Sequence, residues 1–209
     1  RATGPGSIPI TPALERERIQ SVLKELEGTC TLSVDTIHPQ VLEAALKYEI
    51  HAVNDISGLA HPQMQKMVAE SGLPAILMAA RERPGDAGSV EVVKTALALI
   101  ADRCTVAEID NYVLDPGIGL WTPDRTFGDN WELCRRFSEF SLFNRPLLAA
   151  ISRKSFLGDL LKKPVTERKY ASIALNVLLM VQGAAMIRTH DVQETADAIR
   201  VFQKMERFL

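Results

Sequence analysis

Five polar side chains follow apolar, strand-like runs in this sequence, and their types suit a flat ligand that offers hydrogen-bond donors. The five are two carboxylates, an amide and two cations, namely Asp35, Asn54, Asp115, Lys154 and Arg188. An ionised carboxylate only accepts hydrogen bonds, so a carboxylate beside an amide suits a heterocycle with a row of N–H groups and a carbonyl. A purine or a pterin has such an edge.

The second cation suits a further task. The planar guanidinium of Arg188 can stack on a ring and still bind phosphate at its edge. His190 follows two residues later and could hydrogen-bond the same anion. These residue types therefore predict a site for a donor-rich heterocycle that carries an anionic group.

Each of these residues also has an ordinary structural explanation. Asp35 and Asn54 are residue types that cap helices, and Asp115 precedes a Pro-Gly turn. Lys154 could belong to a solvated surface pair with its neighbour Arg153. Their shared position favours chemistry instead, because the carboxyl ends of the strands of a parallel barrel form one face, where active sites lie.

Strands and helices alternate along the predicted chain. Apolar runs predict six strands, at residues 32–36, 52–55, 74–78, 112–114, 146–151 and 185–187. Helical spacing predicts helices between and beyond these strands, including one that continues through Phe137 and others at 166–182 and 193–208. This alternation predicts an α/β fold with a parallel sheet, either doubly wound or a barrel. No Gly-x-Gly-x-x-Gly follows the first strand, which favours the barrel.

The composition predicts one globular domain and excludes several partners. The chain has 209 residues, of which 46% are hydrophobic and 24% charged, and its net charge is −2. That charge provides no basic field for nucleic acid or a membrane surface. The apolar runs are too short to span a bilayer. Cys30, Cys104 and Cys134 form no metal-binding or disulfide pattern, which indicates a cytoplasmic protein.

Several longer strings resemble one known family. The most specific is Ser-Arg-Lys-Ser-Phe-Leu-Gly at 152–158, with Leu-Asp-Pro-Gly-Ile-Gly at 114–119 before it and Arg-Thr-His-Asp at 188–191 after it. Ser-Val-Asp-Thr at 33–36 and Val-Asn-Asp-Ile at 53–56 fall at earlier positions. In this order and spacing, nearly the whole chain resembles the dihydropteroate synthases.

The resemblance implies a fold and an activity. It implies a (β/α)8 TIM barrel, of which residues 1–209 form a pterin-binding domain with six of the eight βα units. It also implies a transferase of folate biosynthesis that joins p-aminobenzoate to 6-hydroxymethyl-7,8-dihydropterin pyrophosphate, giving 7,8-dihydropteroate and pyrophosphate. The family are sulfonamide targets and usually homodimers, and Mg²⁺ would offset the charge of the leaving group.

The resemblance further assigns roles to particular residues. Six of them would bind the pterin: Asp35, Asn54, Met78, Asp115, Lys154 and Arg188. Arg188 and His190 would also bind pyrophosphate, and Pro5 and Ser155 would contribute to the p-aminobenzoate site. Asp35 and Lys154 would be catalytic. Pyrophosphate would leave first, and Asp35 would stabilise the positive charge on the exocyclic methylene of the pterin.

The sequence departs from the family pattern at several positions. Gly4 stands where the family has an arginine that contacts the anion. Leu120-Trp121-Thr122 replaces the common Phe-Gly-Lys, so an aromatic wall for the pterin would have to come from Trp121 or be lost. Ala79-Ala80-Arg81 replaces a stretch that usually contains His and Met.

A larger departure concerns the start of the sequence. The family's first two strands, with the asparagine that serves magnesium and pyrophosphate, would lie upstream of Arg1, so no metal ligand is expected in these 209 residues. We therefore expect a piece of a longer gene product, or pairing with a separate chain that bears those strands. In some relatives a pyrophosphokinase domain is fused upstream.

Two other functions fit part of the pattern. A methyltetrahydrofolate-binding methyltransferase barrel shares the acid and amide recognition of a pterin but needs neither the string around Lys154 nor a pyrophosphate site. A non-catalytic pterin-binding homologue is favoured by Gly4 and by the expected missing strands. The last helices carry apolar residues that serve either a dimer interface or the core: Leu175, Leu178, Leu179, Val201 and Phe202.

Overall fold

The computed structural model describes residues 10–206, which form six strands and eight α-helices. The strands are β1 (Ser33–Asp35), β2 (Ala52–Asp55), β3 (Ala75–Met78), β4 (Tyr112–Asp115), β5 (Leu147–Ala149) and β6 (Ala184–Ile187). The helices are α1 (Pro12–Leu26), α2 (Pro39–Ala45), α3 (Pro62–Ser71), α4 (Val90–Val106), α5 (Phe127–Arg135), α6 (Ser155–Leu161), α7 (Lys169–Val181) and α8 (Val192–Glu206).

All six strands are parallel, and their order in the sheet is their order in the chain. Each strand is followed by at least one helix, and the helices after β1 to β5 carry the chain back across the sheet to the next strand. A doubly wound sheet would reverse its strand order at one point, whereas a barrel wall advances in one direction. The structure thus agrees with six successive units of a barrel wall.

Capping residues explain where several helices begin. Thr11 Oγ1 accepts a hydrogen bond of 3.3 Å from the Leu14 backbone N–H at the start of α1. Thr126 and Asp129 cap α5 reciprocally, each side chain bonding the other's backbone N–H. Both arrangements satisfy N–H groups that have no partner inside the helix.

Two helix boundaries differ from the sequence-based prediction. The helix predicted through Phe137 ends at Arg135, and a 3₁₀ helix follows at Phe137–Phe143. The helix predicted from residue 166 begins at Lys169, after a 3₁₀ turn at Val165–Glu167. Apolar spacing over one or two turns does not distinguish three residues per turn from 3.6, so the pattern gave no warning of either.

The core lies between the sheet and the helices. The apolar residues of the last helices fall into two groups, one buried in this core and one exposed. Leu175 and Leu179 are buried on the inner face of α7. Leu178 is 59% exposed and Val201 of α8 is 66% exposed. Phe202 is half-buried. Leu175 and Leu179 therefore belong to the core, whereas the role of the exposed residues in a dimer stays a prediction.

The outer strands of the sheet leave apolar surface accessible. Met186 of β6 is 40% exposed. Beside β1, a groove of about 340 Å³ runs along α1 and includes Val22, Leu26 and Leu32. Uncovered edges of this kind favour pairing with a further chain segment.

No helix between residues 10 and 206 is long and apolar enough to cross a membrane. Cys30 is exposed, Cys104 and Cys134 are buried, and all three are free.

Candidate active site

A cavity of about 280 Å³ opens at the carboxyl ends of the strands. Its lining comes from β1 and from the segments that follow β2, β4, β5 and β6, and consists of Asp35, Ile56, Trp121, Ala150, Ser152, Lys154, Arg188, Thr189 and His190. Four of the residues predicted for the site thus face one space. Because they end or follow three different strands, β1, β5 and β6, the parallel sheet itself brings them together.

A chain of hydrogen bonds joins four of the strand ends beneath this cavity. The Asn54 side-chain amide donates to Asp35 Oδ1 at 3.0 Å. Arg188 donates from Nη1 to Asn54 Oδ1 at 3.1 Å and from Nη2 to Asp115 Oδ2 at 2.9 Å. The structure therefore brings together both carboxylates, the amide and one cation, as the sequence predicts.

Arg188 contacts the two acceptors that the heterocycle would use, and its predicted stacking on the ring stays a prediction. Its guanidinium donates hydrogen bonds to Asn54 Oδ1 and Asp115 Oδ2. These are the acceptors that we assigned to the N–H edge of the heterocycle. The physical reason is that both acceptors are buried, with Asn54 4% and Asp115 3% exposed, and buried acceptors require donors. A heterocycle that used them would have to displace the Arg188 side chain.

The turn after β4 fixes Asp115 and covers Met78. Gly117 N–H donates to Asp115 Oδ1 at 2.7 Å, which orients the carboxylate. Gly117 has φ +70°, and a Cβ there would lie 3.1 Å from Met78 Cγ. Met78 is 1% exposed beneath this turn and does not line the cavity, so its predicted contact with the pterin stays a prediction.

Lys154 extends from the turn after β5 into the cavity. Its Nζ donates to the Ile118 carbonyl oxygen and lies 5.3 Å from the centre of the Trp121 ring. Burial lowers the pKa of Lys154 from 10.5 to about 8, opposed by the Asp115 charge and reinforced by those of Arg188 and Arg125. An amine in this environment can act as a hydrogen-bond donor to a carbonyl or ring nitrogen of a ligand.

Trp121 forms an aromatic wall of the cavity. The sequence left open whether Trp121 supplies this wall or the wall is lost. Its indole N–H donates to the Gly117 carbonyl oxygen at 2.9 Å. On the other side, a Cβ on Gly85 would overlap the Trp121 side chain, and Gly85 has φ +79°. The loop after β3 therefore supports the ring.

Sequence reasoning did not identify Ser152 as a site residue. Its hydroxyl accepts a hydrogen bond of 3.1 Å from the His190 backbone N–H and lies 2.9 Å from His190 Nδ1. With Nδ1 engaged in this way, the second ring nitrogen of His190 remains for a ligand. Ser152 stands at the start of the family string, which was the available signal.

The remaining predicted residues lie outside the cavity or outside the described part of the chain. Ser155 is half-buried at the first position of α6, next to Lys154, and does not line the cavity. Pro5 and Gly4 fall outside residues 10–206. Within residues 10–206, no group of three or more His, Cys, Asp or Glu side chains could hold a metal ion.

Comparisons with known proteins show what this chain is similar to. The family model "Pterin binding enzyme" matches residues 1–190. Dihydropteroate synthase of Escherichia coli K12 is 36% identical over 214 residues, which cover 97% of this chain and 74% of that protein. The Mycobacterium leprae enzyme is 36% identical, with 96% and 76% covered.

Solved structures give the same result. Xanthomonas albilineans dihydropteroate synthase with 4-aminobenzoic acid matches with a TM-score of 0.89 and 30% identity, covering 99% of this chain and 77% of that one. The Yersinia pestis enzyme in a sulfonamide complex matches with the same TM-score and identity, covering 99% and 78%. The Coxiella burnetii enzyme in complex with pteroic acid has a TM-score of 0.86 and 29% identity, covering 96% and 78%.

Proposed function

Because this chain belongs to the dihydropteroate synthase family of pterin-binding enzymes, we infer that it joins p-aminobenzoate to 6-hydroxymethyl-7,8-dihydropterin pyrophosphate. The products are 7,8-dihydropteroate and pyrophosphate, and the reaction belongs to folate biosynthesis. The observation that carries this function is the hydrogen-bonded cluster of Asp35, Asn54, Arg188 and Asp115 beside Lys154.

For substrate recognition, we propose that the pterin replaces the Arg188 side chain in this cluster. The N–H groups of its aminopyrimidine edge would donate to Asp115 and to the Asn54 carbonyl oxygen. The Lys154 ammonium would donate to an acceptor on the ring, and Met78 would lie below. Acceptor-only carboxylates and a donor-only ammonium distinguish the pterin edge from most flat ligands.

For the reaction, Arg188 and His190 would bind the pyrophosphate that the pterin carries. The bond between the exocyclic carbon and the pyrophosphate oxygen breaks, and its electron pair leaves with the pyrophosphate. Asp35 then stabilises the cation on the exocyclic carbon. The amine of p-aminobenzoate attacks that carbon with its lone pair and afterwards loses one proton to solvent. Ser155 and Pro5 are proposed to position the p-aminobenzoate.

We also propose that the reaction uses Mg²⁺, bound to pyrophosphate oxygens, since hard oxygen donors suit it. Turnover with the purified protein should fall on addition of EDTA and recover with excess Mg²⁺, and turnover that is insensitive to EDTA would contradict the proposal.

Turnover and binding measurements on the purified protein test the function. We expect pyrophosphate release that requires both substrates, and p-aminobenzoate binding in calorimetry only when pyrophosphate is present. Lys154→Ala should abolish pterin binding, whereas Lys66→Ala, which alters an exposed lysine of α3, should not. Pterin binding without turnover would favour a non-catalytic homologue, and binding of methyltetrahydrofolate without any pyrophosphate requirement would favour a methyltransferase.

We further propose a homodimer formed through α7 and α8, and a cytoplasmic location. The exposed apolar side chains of Leu178 and Val201 support the interface. The free cysteines support a reducing compartment.

A further inference from the structure

The turn that carries Lys154 into the cavity has a backbone conformation that is uncommon for its residue type. Arg153 has φ +55°, in the left-handed region that favours glycine. The turn is closed by a hydrogen bond of 3.2 Å from the Lys154 N–H to the Ile151 carbonyl oxygen. A side-chain-bearing residue keeps this conformation only where its surroundings impose it.

Two residues outside the cavity supply those surroundings. The Arg153 N–H donates to Ser172 Oγ at 2.8 Å, and the Arg153 carbonyl oxygen accepts from Arg168 Nη1 at 3.2 Å. Ser172 Oγ in turn donates to the Arg168 carbonyl oxygen at 2.9 Å. Both backbone polar groups of Arg153 are thus held by the start of α7.

A glycine in α6 makes room for the Arg168 side chain. Arg168 Nε donates to the Lys163 carbonyl oxygen at 3.0 Å, so its guanidinium lies across the end of α6. A Cβ on Gly158 would overlap that guanidinium. Gly158 has an ordinary helical φ, so its lack of a side chain serves this contact and not the backbone.

The same turn is also tied to the segment after β6. The Arg153 side chain forms an ion pair with Asp191, with Nε donating to Oδ2 at 3.0 Å. Asp191 follows His190 directly. Displacement of Arg153 would therefore affect both the Lys154 side of the cavity and the side proposed to bind the anion.

We propose that Arg168 and Ser172 are positioning residues that hold the Arg153 turn and thereby direct Lys154 into the cavity. Neither residue lines the cavity. The expected effect of these residues on turnover rests on the proposed function, whereas their part in holding the Arg153 turn does not.

Gly158→Ala is the sharpest test, because it separates positioning from stability. Alanine favours a helix over glycine, so the melting temperature should be kept or raised. The new Cβ displaces the flexible end of Arg168 and breaks its bond to Arg153. The KM for the pterin pyrophosphate should rise on the order of tenfold to a hundredfold, as misplacement of a substrate-contacting group does. Leu160→Ala, on the exposed face of α6, is the matched control and should leave KM unchanged.

Two further substitutions test the same contacts. Arg168→Ala and Ser172→Ala should raise KM as Gly158→Ala does, and Ser172→Thr, which keeps the hydroxyl, should restore a value near that of the wild type. An unchanged KM in both Gly158→Ala and Arg168→Ala would overturn the proposal. A lowered melting temperature with unchanged KM would show a purely structural role and would overturn it as well.

A second measurement does not require turnover. The Lys154 amine can be titrated by NMR in protein labelled with ¹⁵N-lysine. The groups that face it are Asp115 of β4, Arg188 after β6, Arg125 in the loop after β4, and Cys134 of α5. Burial holds its pKa at about 8, and release of the turn should admit water and move that pKa toward 10.5.

The two measurements distinguish the two proposals. If the wild type shows no turnover but the Lys154 pKa rises in Gly158→Ala and not in Leu160→Ala, the proposed function fails and the positioning role stands. If the wild type turns over and the pKa is the same in all variants, the positioning role is overturned and the function stands.

Discussion

The residues proposed to bind the pterin are hydrogen-bonded to one another in this structure. The acceptors of Asn54 and Asp115 suit a heterocycle, and the Arg188 guanidinium satisfies them from within the chain. Under the proposed mode of recognition, binding of the pterin would exchange one set of hydrogen bonds for another. The net affinity for the pterin should be lower than its contacts alone suggest, because the hydrogen bonds of Arg188 must break before those of the pterin form.

Asp115→Asn tests the charged acceptor. The substitution removes the negative charge and leaves one acceptor atom, so pterin affinity should fall about 10- to 100-fold, the range for loss of a hydrogen bond to a charged group. Calorimetric titration with the pterin measures the change. Asp159→Asn, at an exposed pair with Lys162, is the control. Equal affinity in the two variants would refute the assigned role of Asp115.

Lys154→Met should stabilise the fold while abolishing pterin binding. Burial lowers the pKa of Lys154 from 10.5 to about 8, so between these values the unfolded state binds more protons on this residue. The free energy of unfolding therefore rises with pH through that window. Below pH 8 the charge on Lys154 lowers the free energy of unfolding by on the order of 3 kcal/mol, at ~1.4 kcal/mol per pKa unit.

Urea unfolding at pH 7 and pH 9.5 measures this effect. Lys154→Met should raise the free energy of unfolding at pH 7 by about 1–3 kcal/mol and reduce its rise toward pH 9.5. Lys66→Met, at a lysine whose side chain is 72% exposed, should change neither value noticeably. A destabilised Lys154→Met protein at pH 7 would contradict the prediction.

The sequence predicted the polar strand ends but not the residues that orient them. Asp35, Asn54 and Asp115 could be identified because each directly ends an apolar run. Ser152 also follows an apolar run, but its contact with His190 depends on how distant segments pack. Arg168 carries no local signal, since its contact with Arg153 depends on such packing as well. Arg188 was identified, but its pairing with buried acceptors depends on their burial, which only the fold determines.

At the scale of elements, the loops after β3 and β4 act as one support for the cavity wall. Asp86 accepts hydrogen bonds from the backbone N–H groups of Arg81, Glu82 and Arg83, which closes the first loop. Burial opposes ionisation of Asp86, but these donors lower its pKa. The closed loop presents Gly85 to the Trp121 side chain.

Gly85→Ala should disrupt this support. Alanine would meet the Trp121 side chain and would also strain the backbone at φ +79°. We expect a loss of about 1–3 kcal/mol in the free energy of unfolding, the usual cost of overpacking, and a shifted Trp121 fluorescence maximum. Gly88→Ala in the same loop, where a Cβ meets nothing within 4 Å, should behave as the wild type. Equal stability of the two variants would refute the contact.

At the scale of the whole molecule, the alternation of strands and helices predicted a parallel sheet but did not decide between a barrel and a doubly wound sheet. Strands joined by helical crossovers of one hand form a parallel sheet, and the strand order advances in a single direction only when all the helices lie on the same face of that sheet. What the sequence did not supply is the distribution of Leu175, Leu178 and Leu179 between core and surface. That division depends on which face of α7 meets the sheet and which remains uncovered.

Leu178→Glu tests the proposed dimer. A charge at this exposed position should oppose an apolar interface, so sedimentation should shift from dimer to monomer while the melting temperature of the monomer changes little. Val106→Glu, at an 84% exposed position at the end of α4, should leave the dimer intact. Dimers that persist in Leu178→Glu, or a wild type that is already monomeric, would contradict this interface.

The hydrogen bonds of Arg188 have a consequence for how the protein reaches its native state. Arg188 contacts Asn54 across 134 residues of chain and Asp115 across 73. Contacts between such distant positions form only after long loops have closed, which makes them slow and late events in folding. A nascent chain whose residue 188 has not yet left the ribosome lacks the complete site. Recovery of pterin binding during refolding should therefore lag behind recovery of helical structure.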